Sequence, residues 1–389
     1  MTPLLPQHRH QSSLEGIINF SGPKPFAVDE LAGARRRFYD IINHFDTTDN
    51  DKRVGYRRPR LVRYTYEYSR SELSQDTFLR AFFEFMKLDV AGEEDIDFLD
   101  EDLENQLGKN LITFADFLLD NFFLPLKASG RYTPQPSPAH LSAIQRAQGG
   151  IHEFTGTPDR ISVLRGSCLI RDRHRCVISR KFDQQEAIIR LTKHGNNAQD
   201  DEGNLLRGQL SMILRVAHIL PHSLTQANAD CLLDDSKTAA LMILNMFDCN
   251  VSHLIDGNNI DRPFNAMSLT HDLHTHFGNF AVFFEAVPGQ AHTYQVNTFL
   301  PPGILQDLPV TRTFYLTNDR SIEPPSPRLL AIHHAIAHIL HLSGAGEYID
   351  NILRDMEETG VQEDGSTELG RIMKLRLGGW LDGAVGAYG

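Results

Sequence analysis

The chain has 389 residues, of which 41% are hydrophobic and 23% are charged, the composition of a folded protein with room for two or three domains. Its formal net charge of −12 argues against a protein that coats nucleic acid with its whole surface, because cationic side chains provide most of the non-specific affinity for phosphate. No stretch approaches the roughly 20 apolar residues of a membrane span, so the sequence predicts an intracellular protein, cytoplasmic or nuclear, with no membrane partner.

The first part of the chain, residues 1–130, is predicted to be a helical N-terminal region. Apolar residues recur at helical spacing in three stretches, which predicts helices at 29–45, 71–88 and 111–124. Between the first two helices the pattern predicts an Arg-rich loop, with Arg53, Arg57, Arg58, Arg60 and Arg63.

A Pro-rich linker is predicted at residues 131–150. Pro134, Pro136 and Pro138 stand at alternate positions, which favours an extended backbone and excludes a continuous helix. The linker therefore separates the helical region from a central domain at residues 151–320.

Basic residues are concentrated near the start of this central domain. Between Arg160 and Lys193 the sequence has nine of them: Arg160, Arg165, Arg171, Arg173, Arg175, Arg180, Lys181, Arg190 and Lys193. This basic segment predicts a contact with nucleic acid, and a solvated basic face is the alternative interpretation.

The rest of the central domain alternates short strands with short helices. A strand is predicted over 212–220, ending at Pro221 because proline cannot donate to a strand ladder. Helices follow at 236–247 and 270–277, and β-branched and aromatic residues predict further strands over 281–300 and 310–316. Residues 321–389 are predicted to form C-terminal helices, so the fold class is α+β.

Three sequence elements of the central domain carry the functional signal. They are Ala217-His218-Ile219-Leu220-Pro221, the run from Asn265 to Leu269, and His274 with Phe277 three residues later. In these elements the region from about Ile161 onward resembles the fungal HNH-domain proteins, which carry Ala-His-Ile-x-Pro, Asn-x-x-x-Leu and His-x-x-Phe. The resemblance implies a ββα-metal (HNH-like) domain with added strands and an HNH endonuclease-like function.

The resemblance also implies roles for individual residues. Cleavage of a phosphodiester needs an activated water, a cation for the charge that develops on phosphoryl oxygens, and a group that orients the base. His218 would be the general base, Asn265 the orienting residue and His274 a ligand of a divalent metal, Mg or Zn. The resemblance assigns no role to His271, but its position on the same predicted helix face as His274 would let it substitute as a second metal ligand.

Three positions depart from the family pattern. Ala217 stands directly before the base, where HNH nucleases usually have a metal ligand, and Arg215 stands where many relatives have an acid. Gly278 replaces the Asp that commonly follows His-x-x-Phe. These departures argue against a complete metal site, because catalytic sites normally supply about three protein ligands.

The sequence therefore leaves three hypotheses open. The first is a metal-dependent endonuclease. The second is an HNH scaffold that lacks the metal site and acts as an acid/base enzyme, for example a cyclase, on a small molecule of fungal secondary metabolism, with Arg215, His218 and His274 moving protons. The third is a non-catalytic binding module that keeps the site as structure.

Overall fold

The computed structural model describes residues 26–48, 55–92, 95–130, 157–226, 233–306, 308–357 and 368–381. Its α-helices, in chain order, are α1 (Val28–Thr48), α2 (Arg58–Glu67), α3 (Glu72–Met86), α4 (Glu101–Leu118), α5 (Leu124–Gly130), α6 (Thr157–Arg171), α7 (Gln184–His194), α8 (Asp235–Phe247), α9 (His271–Gly278), α10 (Pro327–Ser343), α11 (Ala345–Glu357) and α12 (Leu369–Leu377). Its strands are β1 (Phe182–Asp183), β2 (Ser211–Met212), β3 (Leu214–His218), β4 (Ala266–Thr270), β5 (Val282–Ala286), β6 (Thr293–Thr298) and β7 (Val310–Thr313).

Contacts divide the chain into two compact units, each made of non-contiguous stretches. The first consists of Met1–Phe123, Asp234–Ser252 and Leu342–Tyr348, and the second of Leu124–Leu233, His253–His341 and Ile349–Gly389. The segments expected from sequence are contiguous, and the linker expected at 131–150 lies outside the described residues.

Helix α2 replaces the Arg-rich loop that the sequence predicted between the first two helices, and that prediction was wrong. Pro59 lies in the first turn, a position that its fixed φ and missing N–H favour. Leu61, Val62 and Tyr66 are buried, while Arg63 pairs with Glu67 one turn later. Arg58, Arg60 and Arg63 thus lie on the polar face of an amphipathic helix, and Arg53 lies outside the described residues.

Acidic residues form the N-terminus of α4. The side chain of Asp100 accepts hydrogen bonds from the backbone N–H of Asp102 and Leu103, and further carboxylates occupy the first turn. Such a cap satisfies N–H groups that have no partner within the helix, and the carboxylates stabilise its positive end. The helix therefore begins ten residues before the predicted boundary at 111.

Aromatic rings form the core of the first unit. The ring of Phe38 packs edge-on against Phe78 and Phe82, with centroids 6.3 and 4.8 Å away. Phe114, from α4, packs against both Phe78 and Phe82. This packing joins α1, α3 and α4.

The second unit contains a ββα arrangement. Strands β3 and β4 pair antiparallel, with Leu214 opposite Thr270 and His218 opposite Ala266. Helix α9 begins at His271, directly after β4, and packs on β3. The separate antiparallel sheet β5-β6-β7 follows. These elements confirm the predicted α+β fold with a central ββα domain and added strands.

No helix within the described ranges is both long and apolar enough to cross a membrane.

Candidate active site in the ββα unit

The pairing of β3 with β4 brings His218 and Asn265 together. His218 ends β3 opposite Ala266, the first residue of β4, and Asn265 precedes Ala266. The backbone N–H of Ile219 donates to the carbonyl oxygen of Asn265 at 2.8 Å. The two residues are 47 positions apart in sequence and adjacent in the fold.

The buried carboxamide of Asn265 fixes the chain that follows His218. Its Oδ1 accepts from the N–H of Leu220 at 3.0 Å, and its Nδ2 donates to the carbonyl oxygens of Leu220 and Ile260 at 3.0 and 2.9 Å. The side chain thus ties the end of β3 to the turn before β4. Its hydrogen bonds go to backbone groups, so Asn265 acts on His218 through the loop.

His218 is hydrogen-bonded to Asp261, a residue that the sequence analysis did not single out. Nε2 of His218 lies 3.2 Å from Oδ1 of Asp261, and both side chains are 1% exposed. Burial alone would raise the pKa of Asp261, but hydrogen bonds and charge from His218 and His222 lower it well below its usual range. Asp261 is therefore a carboxylate, which only accepts hydrogen bonds, and Nε2 of His218 must carry the proton.

This assignment leaves Nδ1 of His218 with the lone pair. Burial lowers the pKa of His218, against the opposing effect of Asp261, so the ring is neutral at neutral pH. Nδ1 is buried and has no hydrogen-bond partner among the described residues. An imidazole with a fixed tautomer and a free lone pair can accept a proton.

His222 and Arg160 complete the surroundings of Asp261. Nδ1 of His222 donates to the same Oδ1 at 2.7 Å, and Nε of Arg160 donates to Oδ2 at 3.3 Å. His222 opens a 3₁₀ turn shortly after β3, and Asp261 ends another before β4. The ligand atoms of His218, His222 and Asp261 lie within 4.8 Å of one another, close enough to hold a metal ion.

His274, on α9, is the third predicted site residue. It is buried, and burial, followed by electrostatic interaction with Arg215, His271 and His218, lowers its pKa to about 4. The ring hydrogen-bonds the backbone of Val216, whereas its buried Nε2 has no hydrogen-bond partner within the described ranges. His274 therefore interacts electrostatically with His218, and its Nε2 is available to a ligand.

Arg215 and His271 lie near His274 but not in the cluster around Asp261. His271 is exposed at the start of α9. Arg215 is half-buried, and its Nε has no partner in the described part of the chain. Both residues lower the pKa of His274 through electrostatic interaction.

The residues around His274 offer donor atoms of a type that suits a divalent ion. They offer fewer protein ligands than the three of a usual catalytic site. A neutral, buried imidazole with an unpartnered Nε2 is a suitable ligand, and His271 adds a second imidazole. Ala217 adds no donor atom, so further coordination positions would fall to water and phosphate oxygens. The metal roles of His274 and His271 stay predictions.

The basic segment from Arg160 to Lys193 is largely committed to bonds within the protein. Seven of its nine cationic side chains donate hydrogen bonds to other protein groups: Arg160, Arg165, Arg171, Arg173, Arg175, Arg180 and Arg190. Arg171 is fully buried and binds both oxygens of Asp172 as well as three backbone carbonyls. Contact of this segment with nucleic acid stays a prediction.

The histidines of α10 do not join the site. His333 stacks on Phe277 with ring centroids 3.9 Å apart, and its Nε2 donates to the carbonyl oxygen of Phe277 at 3.0 Å. His338 stacks on His334, and His341 on Phe299. These packing contacts give the four histidines a structural role.

Comparison with known proteins supports the same interpretation of the ββα unit. Residues 176–285 match the family described as HNH endonuclease, a match that covers less than half of the chain. The matched range contains β3, β4 and α9, and with them His218, Asn265 and His274. No curated protein and no solved structure matched the chain. The chain therefore contains an HNH nuclease-like domain, and its membership of the fungal Ala-His-Ile group is not shown by the match.

Asp261 and His222 are the site residues that the sequence analysis missed. His222 lies four positions after His218, and this His-x-x-x-His spacing was the available signal. Asp261 is separated from His218 by 43 positions and lies in a turn without hydrophobic periodicity. Only the fold brings its carboxylate to the imidazole.

Proposed function

We propose that the protein hydrolyses phosphodiester bonds in nucleic acid, with His218 as the general base. The observation that carries this proposal is the hydrogen bond between Nε2 of His218 and Asp261 in the ββα unit, which leaves the buried Nδ1 without a hydrogen-bond partner among the described residues. A neutral imidazole in a fixed tautomer can take a proton from water as the water attacks, a contribution of about 10²- to 10⁴-fold in rate.

The reaction needs two proton transfers and one exchange of bonds at phosphorus. Nδ1 of His218 takes a proton from the attacking water, the water oxygen forms a bond to phosphorus, and the bond from phosphorus to the leaving oxygen breaks. The leaving oxygen then takes a proton from solvent, and His218 returns its proton to solvent. Asn265 holds the backbone on which His218 is mounted, through its bonds to Leu220 and Ile260. The base is thus positioned before substrate binds.

Arg215 is proposed to bind the phosphate. The charge of its guanidinium lowers the pKa of His274, so it acts electrostatically on the ring that would hold the ion. A divalent ion, Mg or Zn, would neutralise charge on the phosphoryl oxygens, and His274 with His271 would hold it.

A second candidate function is acid/base catalysis, such as a cyclisation, on a small molecule. Two observations favour it: Ala217 offers no metal ligand, and the basic segment is mostly bonded within the protein. In this function His218 would still accept a proton, and Arg215 would bind an anionic group of the substrate. The two candidates share the base and differ in the metal and the nucleic acid.

Plasmid cleavage by the full chain with Mg²⁺ or Mn²⁺ tests the first candidate. The wild type should cut, and His218→Ala should abolish cleavage. His253→Ala, which removes an exposed imidazole of the same unit, is the matched control and should cut at the wild-type rate. Thermal unfolding of all three proteins shows whether the fold is kept. If the wild-type protein fails to cut with every divalent metal tested, the nuclease is ruled out and the small-molecule candidate is left.

A further inference from the structure

We infer that His218, His222 and Asp261 form a binding site for a transition-metal ion of the Zn²⁺ type, and that the bound ion switches off His218 as a base. The site is separate from the position at His274 where an HNH nuclease would hold its metal. Binding of the ion depends only on the three side chains, whereas the effect on catalysis rests on the proposed function.

The three donor atoms are close enough together to bind one ion. Oδ1 of Asp261 lies 3.2 Å from Nε2 of His218 and 2.7 Å from Nδ1 of His222, and all three atoms fall within 4.8 Å. Ligands about 2.1 Å from an ion and about 90° to 110° apart lie roughly 3.0 to 3.4 Å from each other. The 3.2 Å separation lies in this range, and the 2.7 Å separation would widen when an ion enters.

Burial and charge also suit an ion. The side chains of His218, His222 and Asp261 are 1%, 8% and 1% exposed, so the donors are fixed by the surrounding protein. Arg160 binds Oδ2 of Asp261, which orients the carboxylate and leaves Oδ1 for the ion. Hydrogen bonds of this kind to a ligating carboxylate are a regular feature of metal sites.

The donor set selects the class of ion. Two imidazoles and one carboxylate suit Zn²⁺, Fe²⁺ or Ni²⁺, whereas Mg²⁺ prefers oxygen ligands and keeps most of its waters. Mg²⁺, the ion supplied in the cleavage assay, is therefore a weak competitor for the cluster.

Occupancy of the cluster reverses the tautomer of His218. Without the ion, Nε2 carries the proton and donates to Asp261, so Nδ1 has the lone pair. With the ion, the Nε2 lone pair binds the metal, and the single proton of the neutral ring must be on Nδ1. No net proton is gained or lost, but Nδ1 can no longer accept one from water.

Metal binding is tested on the full chain with Co²⁺ as a spectroscopic probe and Zn²⁺ as a stabilising ligand. The variant is His222→Asn, because the Asn amide can still donate to Asp261 but is a poor ligand. The control is His253→Asn, the same change at an exposed imidazole. Wild type and control should bind one Co²⁺ with a visible absorption band and gain thermal stability with Zn²⁺. His222→Asn should lose both effects, with affinity lower by about 100-fold or more.

The effect on catalysis is tested by adding Zn²⁺ to the Mg²⁺-dependent plasmid cleavage assay. The rate of each protein with Zn²⁺ is compared with its own rate without Zn²⁺. Wild type and His253→Asn should be inhibited at the Zn²⁺ concentration that saturates the cluster, and His222→Asn should resist this inhibition.

The outcomes separate the metal site from the proposed function. If Co²⁺ binds wild type and His222→Asn equally, or binds neither protein, the metal site is refuted. If the site binds Co²⁺ but the wild type has no nuclease activity, the proposed function fails and the metal site stands. If cleavage continues with the cluster saturated, the switch is refuted.

Discussion

Nε2 of His218 and Oδ1 of Asp261 lie 3.2 Å apart, with both side chains almost fully buried. The carboxylate holds the proton of the ring on Nε2, so the lone pair is on Nδ1, at the side of the ring away from Asp261. Asp261 also accepts from His222 and Arg160, so its own orientation is fixed by three donors. A carboxylate held in this way positions a base without contacting the substrate.

Asp261→Asn should slow plasmid cleavage by about 10²- to 10⁴-fold, because the carboxylate no longer fixes the tautomer of the base. The change should also move the acid limb of the pH–rate profile to lower pH, since hydrogen bonding and charge from Asp261 raise the pKa of His218. Cleavage rates measured from pH 5 to pH 9 for wild type and variant test both effects. A slower variant with an unshifted acid limb would mean that Asp261 only supports the fold.

The sequence predicted the elements that carry the HNH motif and not the residue that orients the base. His218, Asn265 and His274 were found because their order along the chain is itself the motif, and strand pairing then brings the first two together. Asp261 has no such signal. It lies in a 3₁₀ turn that packs against α6, a contact between distant segments that local periodicity does not encode.

The structure of the two arginine-rich segments was predicted less well than the HNH elements. Basic residues in α2 were assigned to a loop because apolar spacing over ten residues is a weak signal beside so many arginines. Net charge in the segment from Arg160 to Lys193 indicated a surface for nucleic acid, yet Arg171 and Arg175 bind protein acceptors. Counting charges cannot distinguish a solvated cation from a buried one, because the partners lie elsewhere in the chain.

His274→Asn should raise the Mg²⁺ concentration needed for half-maximal cleavage by at least about tenfold, because it removes the proposed imidazole ligand of the ion. His276→Asn is the matched control, since His276 lies on the same helix and is half-buried. Rates measured against Mg²⁺ concentration for both variants test the assignment. Equal metal requirements in the two variants would mean that His274 does not hold the ion.

Arg171→Met should lower the free energy of unfolding by about 3 to 5 kcal/mol, because it leaves the carboxylate of Asp172 buried without its cation. Three backbone carbonyls would lose a donor as well. Arg173→Met is the matched control, two positions away, and should cost about 1 kcal/mol or less because its pair with Glu202 is partly exposed. Urea unfolding of the three proteins measures the difference. Similar losses in both variants would contradict the structural role assigned to Arg171.

The protein should become less stable as the pH falls from 6.5 to 5, because two buried imidazoles resist protonation. Burial is the main cause that lowers the pKa of His333 to about 3 and that of His274 to about 4. In the unfolded chain both rings take up a proton near pH 6.5, so the unfolded state binds more protons in this range and gains stability relative to the fold as the pH falls. Each ring should account for about 2 kcal/mol between pH 6.5 and pH 5.

Urea unfolding at the two pH values measures this slope. His333→Leu should remove about half of the contribution from these two rings, whatever its effect on absolute stability, since the variant has no ring to protonate at that position. His253→Leu removes an exposed imidazole and should leave the slope as it is in the wild type. A slope that His333→Leu does not change would show that His333 titrates normally, and that its stacking on Phe277 does not exclude the charged form.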